Sequence, residues 1–531
     1  MADKSIPKTA AGVGAFARWR LHGSLVPVAF AIAASLLLVA ESHLTRSWYP
    51  PAWPDESMFA DPAIHFLQSG RFGSFTQRHA LPGLDRYWYI QPPGYPSLLV
   101  AAFTIGGISL NTVRVTSLLC ALPILWMTLY AVRRMERRTW LPCAAAVTVA
   151  MDCAFLRSAN LGRMDMAAIA LATGSACMYL RYLERPRAWL AALAGLLGGL
   201  AVQFHALGGF ALATAVVHLL LSGPRKAVAS GALWLLLAGA AVALAPWAVY
   251  ALQDPQIFWI QFSIQFARKG SYVGESSLLV AAWRTFDQYG GTAPKLVMLA
   301  VSLAAFAGMA WRTMKARPRS ALLFWLFLTA IVCAGAVFGR EMWYVAYMVV
   351  PLHVCAWSAI AQVAQQGPER RRLAAGLGIV FTAAVLSTFP FAIAQWMEHG
   401  PSRPIAERIE QVLPENARVM LLCIPDPYFD LRASPKAFRL SAFVPPQVPT
   451  RLWPQYAASV DQVEFFVISQ GDELLWKGTL YEPRMMRKGQ PVYVFAVRGR
   501  TYMVIDARPE PERERRPMTP PHSTLDAPSE R

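Results

Sequence analysis

Pro96-Ser97-Leu98-Leu99-Val100-Ala101-Ala102-Phe103-Thr104-Ile105-Gly106-Gly107-Ile108 is the stretch on which the fold turns. It is apolar, but about a dozen residues are too few to cross a bilayer, which takes about 20 in a helix. A longer apolar block, 110–132, follows at once and ends in Arg133, Arg134, Arg137 and Arg138. If 96–108 crossed the membrane, that basic cluster would lie outside and every later loop would invert. Read as a surface helix on the outer side, it leaves five basic clusters inside with the N-terminus. They are Arg133–Arg138; Arg185 and Arg187; Arg225 and Lys226; Arg312, Lys315, Arg317 and Arg319; and Arg370, Arg371 and Arg372. Short loops rich in Lys and Arg stay on the cytoplasmic side, so the surface helix is the consistent reading.

Outward from that helix, blocks long enough to span are 140–156, 165–182, 189–202, 207–221, 228–250, 294–311, 321–338, 343–361 and 373–396. Lys4, Lys8, Arg18 and Arg20 precede an apolar run at 25–40. That run resembles a signal peptide, but the membrane-embedded chain that follows favours an uncleaved anchor. The expectation is a mainly α, polytopic transmembrane helical bundle of about 11 spans. The chain is 55% hydrophobic and 15% charged, against about a quarter charged in soluble domains. Its net charge of +18 sits in the short loops, so it is a topology signal and not a nucleic-acid footprint. Six of the seven cysteines lie in or beside apolar spans. No disulfide framework or metal spacing is implied.

The outer side then receives 41–95, the turn 157–164, the break around His205, 251–289, the turn 339–342 and everything after 396. An amphipathic helix is expected at 405–413 and strands at 419–424, 463–468, 492–497 and 502–505. The organisation is a transmembrane unit at 1–396 with a first outer loop at 41–95, a small α+β domain outside the membrane at 397–507, and a disordered tail at 508–531 rich in Pro, Glu, Arg and Ser.

Three outer segments hold the candidate chemistry. The first loop carries Trp53-Pro54-Asp55-Glu56 and ends in Tyr87-Trp88-Tyr89-Ile90-Gln91-Pro92-Pro93-Gly94-Tyr95. A carboxylate pair among aromatics at the membrane surface suits a base that deprotonates an attacking hydroxyl or amine. Asp55 as a helix cap and the aromatics as an interfacial belt fit the same residues. Asn160-Leu161-Gly162-Arg163-Met164-Asp165 supplies a second carboxylate, at a helix start where the macrodipole also favours an anion. Gly339-Arg340-Glu341-Met342-Trp343-Tyr344 offers Arg340 to a phosphate, or as a snorkelling interfacial charge. His205 sits at a helix break and suits either a ligand contact or packing inside the bundle.

In order, Pro54-Asp55-Glu56, Pro92-Pro93-Gly94-Tyr95-Pro96, Arg114, Arg163-x-Asp165 and Arg340-x-x-Trp343-Tyr344-x-x-Tyr347 with Pro351 resemble the GT-C superfamily of membrane glycosyltransferases, and within it the family 39-like bacterial group. Relatives include protein O-mannosyltransferases and the lipid A aminoarabinose transferase. The resemblance covers roughly 25–396 and rests on motif order. It implies sugar transfer, with inversion, from a polyprenyl-phosphate carrier to a lipid, glycan or protein acceptor outside the cytoplasm of a bacterial inner membrane. Asp55 is then the base, with Glu56 beside it and Asp165 as a second acid. Arg340, His205 and Arg163 hold the donor phosphate, and Tyr87, Tyr95, Trp343 and Tyr344 line the substrates. Metal use varies in the superfamily; if a divalent cation is used, Asp55 and Asp165 are its ligands. Two departures stand out: Gln91 replaces a Lys of some relatives, and Phe204-His205 replaces a Thr-Lys pair. Other function classes also fit a polytopic chain. A flippase of lipid-linked sugars would show repeats and midplane charges, and a non-catalytic scaffold would act through its C-terminal domain.

Overall fold

The computed structural model describes residues 11–78, 81–135, 141–221, 228–270, 342–388, 400–441, 462–472 and 491–508, with side chains from residue 25, together with isolated positions between these segments. The expected span 294–311, most of 321–338, the site residue Arg340 and the tail from 509 lie outside the described residues. In chain order the helices are α1 (Ala11–Thr45), α2 (Pro54–Ser69), α3 (Gly94–Gly106), α4 (Leu110–Met135), α5 (Ala144–Ala150), α6 (Cys153–Ala159), α7 (Asp165–Glu184), α8 (Ala188–Phe204), α9 (Gly209–Leu221), α10 (Ala232–Ala251), α11 (Pro255–Gly270), α12 (Ala346–Ala364), α13 (Pro368–Leu386), α14 (Arg403–Val412) and α15 (Tyr428–Arg432).

Among the described residues five helices are long and apolar enough to cross a membrane: Leu25–Thr45, Leu110–Met135, Asp165–Glu184, Ala232–Ala251 and Trp343–Ala364. The bent pair Leu141–Ala150 and Cys153–Ala159 together meets the same length and hydropathy test, as a broken span or a re-entrant loop. This is an integral membrane protein. Helix α3, with 13 residues, is too short to cross. It packs on α2 and α4.

Helix α12 is the axis of the bundle. Every residue from 346 to 361 is buried, as expected of a helix that is apolar all round, and α4, α5, α6, α7 and α13 pack about it. The stretch 140–156, expected as one span, is instead two short helices bent by 54°. Asp152 stands at the break. Its carboxylate accepts the Ala154 N–H at 2.9 Å, capping α6. It also meets His353 Nε2 of α12 at 3.3 Å. His353 Nδ1 and Trp357 Nε1 both reach the Thr148 hydroxyl, each at 2.9 Å, so these buried polar groups hold one another.

Helices α8 and α10 approach until their backbones touch. A Cβ on Gly195 would collide with the Leu236 carbonyl, and one on Gly239 with that of Ala192. Small residues drive such close packing where the surroundings are as apolar as the side chains. Gly195→Ala is therefore expected to lower the apparent melting temperature of the purified chain by about 1–3 °C, since overpacking costs about 1–3 kcal/mol. Gly376→Ala, where a Cβ would meet nothing within 4 Å, serves as the control and should leave it unchanged.

The C-terminal part forms a five-stranded sheet in the order β2-β1-β3-β5-β4, from β1 (Arg418–Leu422), β2 (Arg439–Ser441), β3 (Phe465–Ser469), β4 (Pro491–Val497) and β5 (Arg500–Asp506). Strand β1 pairs in parallel with β2 and β3, while β3–β5 and β4–β5 are antiparallel. Alternate residues of β1 and β3 feed two cores. Met420, Leu422, Phe466 and Ile468 join a small one. Val419, Leu421, Phe465 and Val467 join a core that continues through α14 into α2, α3 and the first loop, including Phe59, Ile64, Trp88 and Leu99. The sheet is thus packed onto the loop that carries Asp55 and is not simply tethered beside it. Helix α15 and strand β2 were not expected from sequence; both are short and lack a clear apolar period.

Candidate active site

The chain turns into α2 through Trp53 and Pro54, with Pro54 at a first-turn position that needs no N–H. Asp55 and Glu56 follow, and the helix separates their roles. Glu56, not Asp55, caps the helix, because its Oε2 accepts the Trp53 N–H at 3.0 Å. The same carboxylate takes both arms of Arg114, from Nε at 2.9 Å and from the terminal nitrogen at 2.7 Å. It also accepts the Gly162 N–H at 2.7 Å. Both side chains of this ion pair are 1% exposed. Arg114 in turn donates to the Arg46 carbonyl at the end of α1. Glu56 therefore ties α1, α2, α4 and the 160–162 turn together. Gly162 is required there, since a Cβ would run into Val113 and sit 3.0 Å from Glu56 Oε1.

Asp55 faces the other way and is 27% exposed at its side chain. One of its oxygens binds Arg163. Arg163 Nε donates to Asp165 Oδ2 at 2.9 Å, so one buried guanidinium bridges the two carboxylates read from sequence. Asp165 opens α7 and is 2% exposed. The Tyr347 hydroxyl of α12 lies beside it. Tyr95, at the start of α3, is buried with its hydroxyl near Ser117 and facing Glu56 and Asp165; burial pushes this phenol well above its usual pKa.

Trp343 forms the adjoining wall, with its indole edge-on to Trp53 at 5.1 Å. The guanidinium carbons of Arg163 and Arg157 lie 4.7 and 4.8 Å from the same indole centroid, within cation–π range. Arg163 is neutralised by its two acids. Arg157 is 9% exposed, its Nε has no hydrogen-bond partner, and no carboxylate among the described residues pairs with it. Sequence reading passed over Arg157 because it falls at the end of an apolar block. The only signal available was that a charge at such a position usually faces a cavity or a partner.

His205, at the break after α8, is buried. Its ring lies 5.5 Å from Tyr344 and 5.6 Å from Tyr347, and Nδ1 accepts the Leu207 N–H at 3.2 Å. The neutral ring therefore carries its proton on Nε2. The structure thus gathers Asp55, Asp165, Arg163, Trp343, Tyr344, Tyr95 and His205 at one end of the bundle, with Glu56 behind them. Tyr87 belongs to a different group. It stacks on Tyr89 at 5.2 Å and packs against Tyr250.

Among the described residues no three His, Cys, Asp or Glu side chains converge on one point. Arg163 already stands between Asp55 and Asp165. With a guanidinium in that place, these residues do not fit Mg2+ or Ca2+, which take six or more oxygen ligands.

No family model and no curated protein sequence matches the chain. Solved structures do. ArnT from Cupriavidus metallidurans bound to undecaprenyl phosphate superimposes with a TM-score of 0.58 over 90% of this chain and 97% of that one, at 16% identity. Its apo form gives the same score and coverage at 15% identity. The chain has the ArnT-like fold. The Archaeoglobus fulgidus oligosaccharyltransferase in complex with Zn and sulfate also resembles it, with a TM-score of 0.50, 13% identity, and coverage of 88% of this chain and 72% of that one. The share of this chain matched, 90%, is larger than the stretch 25–396 that the motif order covered.

Proposed function

We propose that this protein is a membrane glycosyltransferase that moves a sugar from a polyprenyl-phosphate carrier to an acceptor on the extracytoplasmic face, with inversion. The observation that carries the reading is the Asp55–Arg163–Asp165 bridge against Trp343, at the loop-bearing end of an ArnT-like bundle. Positive-inside placement of the basic loops supports an orientation with that end outside the cytoplasm, and a bacterial inner membrane is the setting this reading proposes.

Asp55 is the base because it is the partly exposed member of the cluster. Arg163 holds one carboxylate oxygen, and the other is left to take the proton from the acceptor hydroxyl or amine. As the acceptor oxygen or nitrogen bonds to the anomeric carbon, the carbon–oxygen bond to the phosphate breaks and the phosphate leaves with the electron pair. Asp165, buried, fixes Arg163 and acts as a positioning residue. The leaving phosphate needs cations and donors. Arg163 is spent on the two acids, so Arg157 and His205 Nε2 are the described groups that serve it, with Arg340 as a third candidate. Tyr95 and Tyr344 line the same space.

Two measurements test this. Glycolipids and glycans from cells with and without the gene should differ by one sugar; identical mass profiles would overturn the transferase reading. Binding of undecaprenyl phosphate, followed by tryptophan fluorescence beside Trp343, should weaken by about tenfold or more in Arg157→Ala. That corresponds to losing one hydrogen bond to a charged group, about 1.5–3 kcal/mol. Arg157→Lys should recover part of it. Unchanged binding in Arg157→Ala would remove Arg157 from the phosphate site.

A further inference from the structure

The loop after β1 reaches the start of α2. The Asp426 N–H donates to the Ala52 carbonyl at 2.8 Å, and its Oδ1 accepts the Tyr428 N–H at 3.0 Å. Its Oδ2 lies 2.9 Å from Ser57 Oγ. Ser57 Oγ is also 2.8 Å from the Pro54 carbonyl, one turn back along α2 and on either side of Asp55. A hydroxyl has one proton. Were Asp426 ionised, that single proton would face two groups that only accept. If Asp426 is protonated, both contacts are made: Ser57 donates to Pro54, and the Asp426 acid donates to Ser57.

The surroundings agree with this proton count. Asp426 is 6% exposed. Glu56 faces it from α2 and Asp430 from α15; Cys423 is near it on its own loop, with Asp472 and Arg500 beyond. Tyr428 is also a neighbour, backed by Asp61 and Arg432. No cation pairs with Asp426 among the described residues. We propose that Asp426, delivered by the C-terminal domain, is a positioning residue for the first turn of α2 and acts as a neutral carboxylic acid, so that the seat of Asp55 depends on pH. The contact itself stands on geometry; its consequence for catalysis rests on the transferase reading above.

Burial, with Glu56 and Asp430 adding to it, raises the pKa of Asp426 from 3.8 to about 7. The folded chain therefore holds a proton that the unfolded chain releases between those values. The stability contributed by this contact is full below about pH 4, declines as pH rises, and is gone above about pH 7.

The test uses the full chain in lipid nanodiscs. The titration of Asp426 should contribute a fall of roughly 2–3 °C in the apparent melting temperature of the wild type between about pH 5 and about pH 8. Asp426→Asn keeps both hydrogen bonds, since its amide donates to Ser57 and accepts from Tyr428, and it should lose that slope. Asp426→Ala should be less stable than Asp426→Asn at either pH. The wild-type minus Asp426→Asn infrared difference should show the carbonyl band of a protonated carboxylic acid at about pH 5 that is lost by about pH 9. An unchanged slope in Asp426→Asn, or an infrared band indifferent to Asp426, overturns the proposal whether or not the chain transfers sugar. Given a working transfer assay, kcat should fall across the same pH window in the wild type and not in Asp426→Asn. Equal pH profiles would overturn the catalytic consequence alone.

Discussion

Replacing Asp55 by asparagine is expected to lower sugar transfer by about 10²–10⁴-fold, the range for losing a positioned general base. The fold should survive. Asp55 is partly exposed, and it neither caps α2 nor enters the Glu56–Arg114 pair. Arg163 keeps Asp165 as a partner at 2.9 Å, so no buried charge is left alone. The melting temperature should move by no more than about 2 °C, as expected where a change costs under about 0.5 kcal/mol. Binding of undecaprenyl phosphate should persist, because the lost group serves the acceptor. A well-folded Asp55→Asn with full activity would end its assignment as the base. Loss of donor binding with the activity would point instead to a collapse of the Arg163 bridge.

The neighbouring acid should behave in the opposite way. Glu56→Gln leaves the Arg114 guanidinium, 1% exposed, without a counter-charge. Breaking a buried pair from one side costs about 3–5 kcal/mol, which corresponds to roughly 3–5 °C in melting temperature for a chain of this length. Arg114→Met should do similar damage by stranding the carboxylate. The double variant Glu56→Gln with Arg114→Met should be milder than either single change, because no charge is then buried alone and the amide oxygen still accepts the Trp53 and Gly162 N–H groups. Activity should follow the amount of folded protein. Melting curves and activity per folded molecule separate the two adjacent acids. A Glu56→Gln variant that melts normally and is inactive would make Glu56 a catalytic group in its own right.

Much of this molecule was legible in its residues. Blocks about 20 residues long, punctuated by arginines, indicate membrane helices because the bilayer sets their length and loop charge sets their direction. The 13 residues of α3 announce themselves by being too few. Strands β1, β3, β4 and β5 were readable because each is a short β-branched and aromatic run bounded by turns. Asp55, Asp165 and Arg163 were singled out because charge at the edge of an apolar segment is costly and needs a reason.

Other features depended on which elements meet in space. Whether Asp55 or Glu56 caps α2 turns on a single helix position, and only the packed helix shows that Glu56 does so while also binding Arg114, 58 residues away. The break in the 140–156 block depends on His353, some 200 residues later, which meets Asp152 inside the bundle. Arg157 looked like the end of a span until Trp343 was seen against it. Asp426 drew no notice in the sequence, and only its contact with Ser57, which also meets the Pro54 carbonyl, sets the count of protons around it. The sequence by itself determined the membrane class and singled out Asp55, Glu56 and Asp165 as candidate acids, because these follow from length, hydropathy and local charge. Only the tertiary structure decided which acid is partly exposed, which pair is buried and which cation lies against Trp343, because those properties belong to groups brought together from distant parts of the chain.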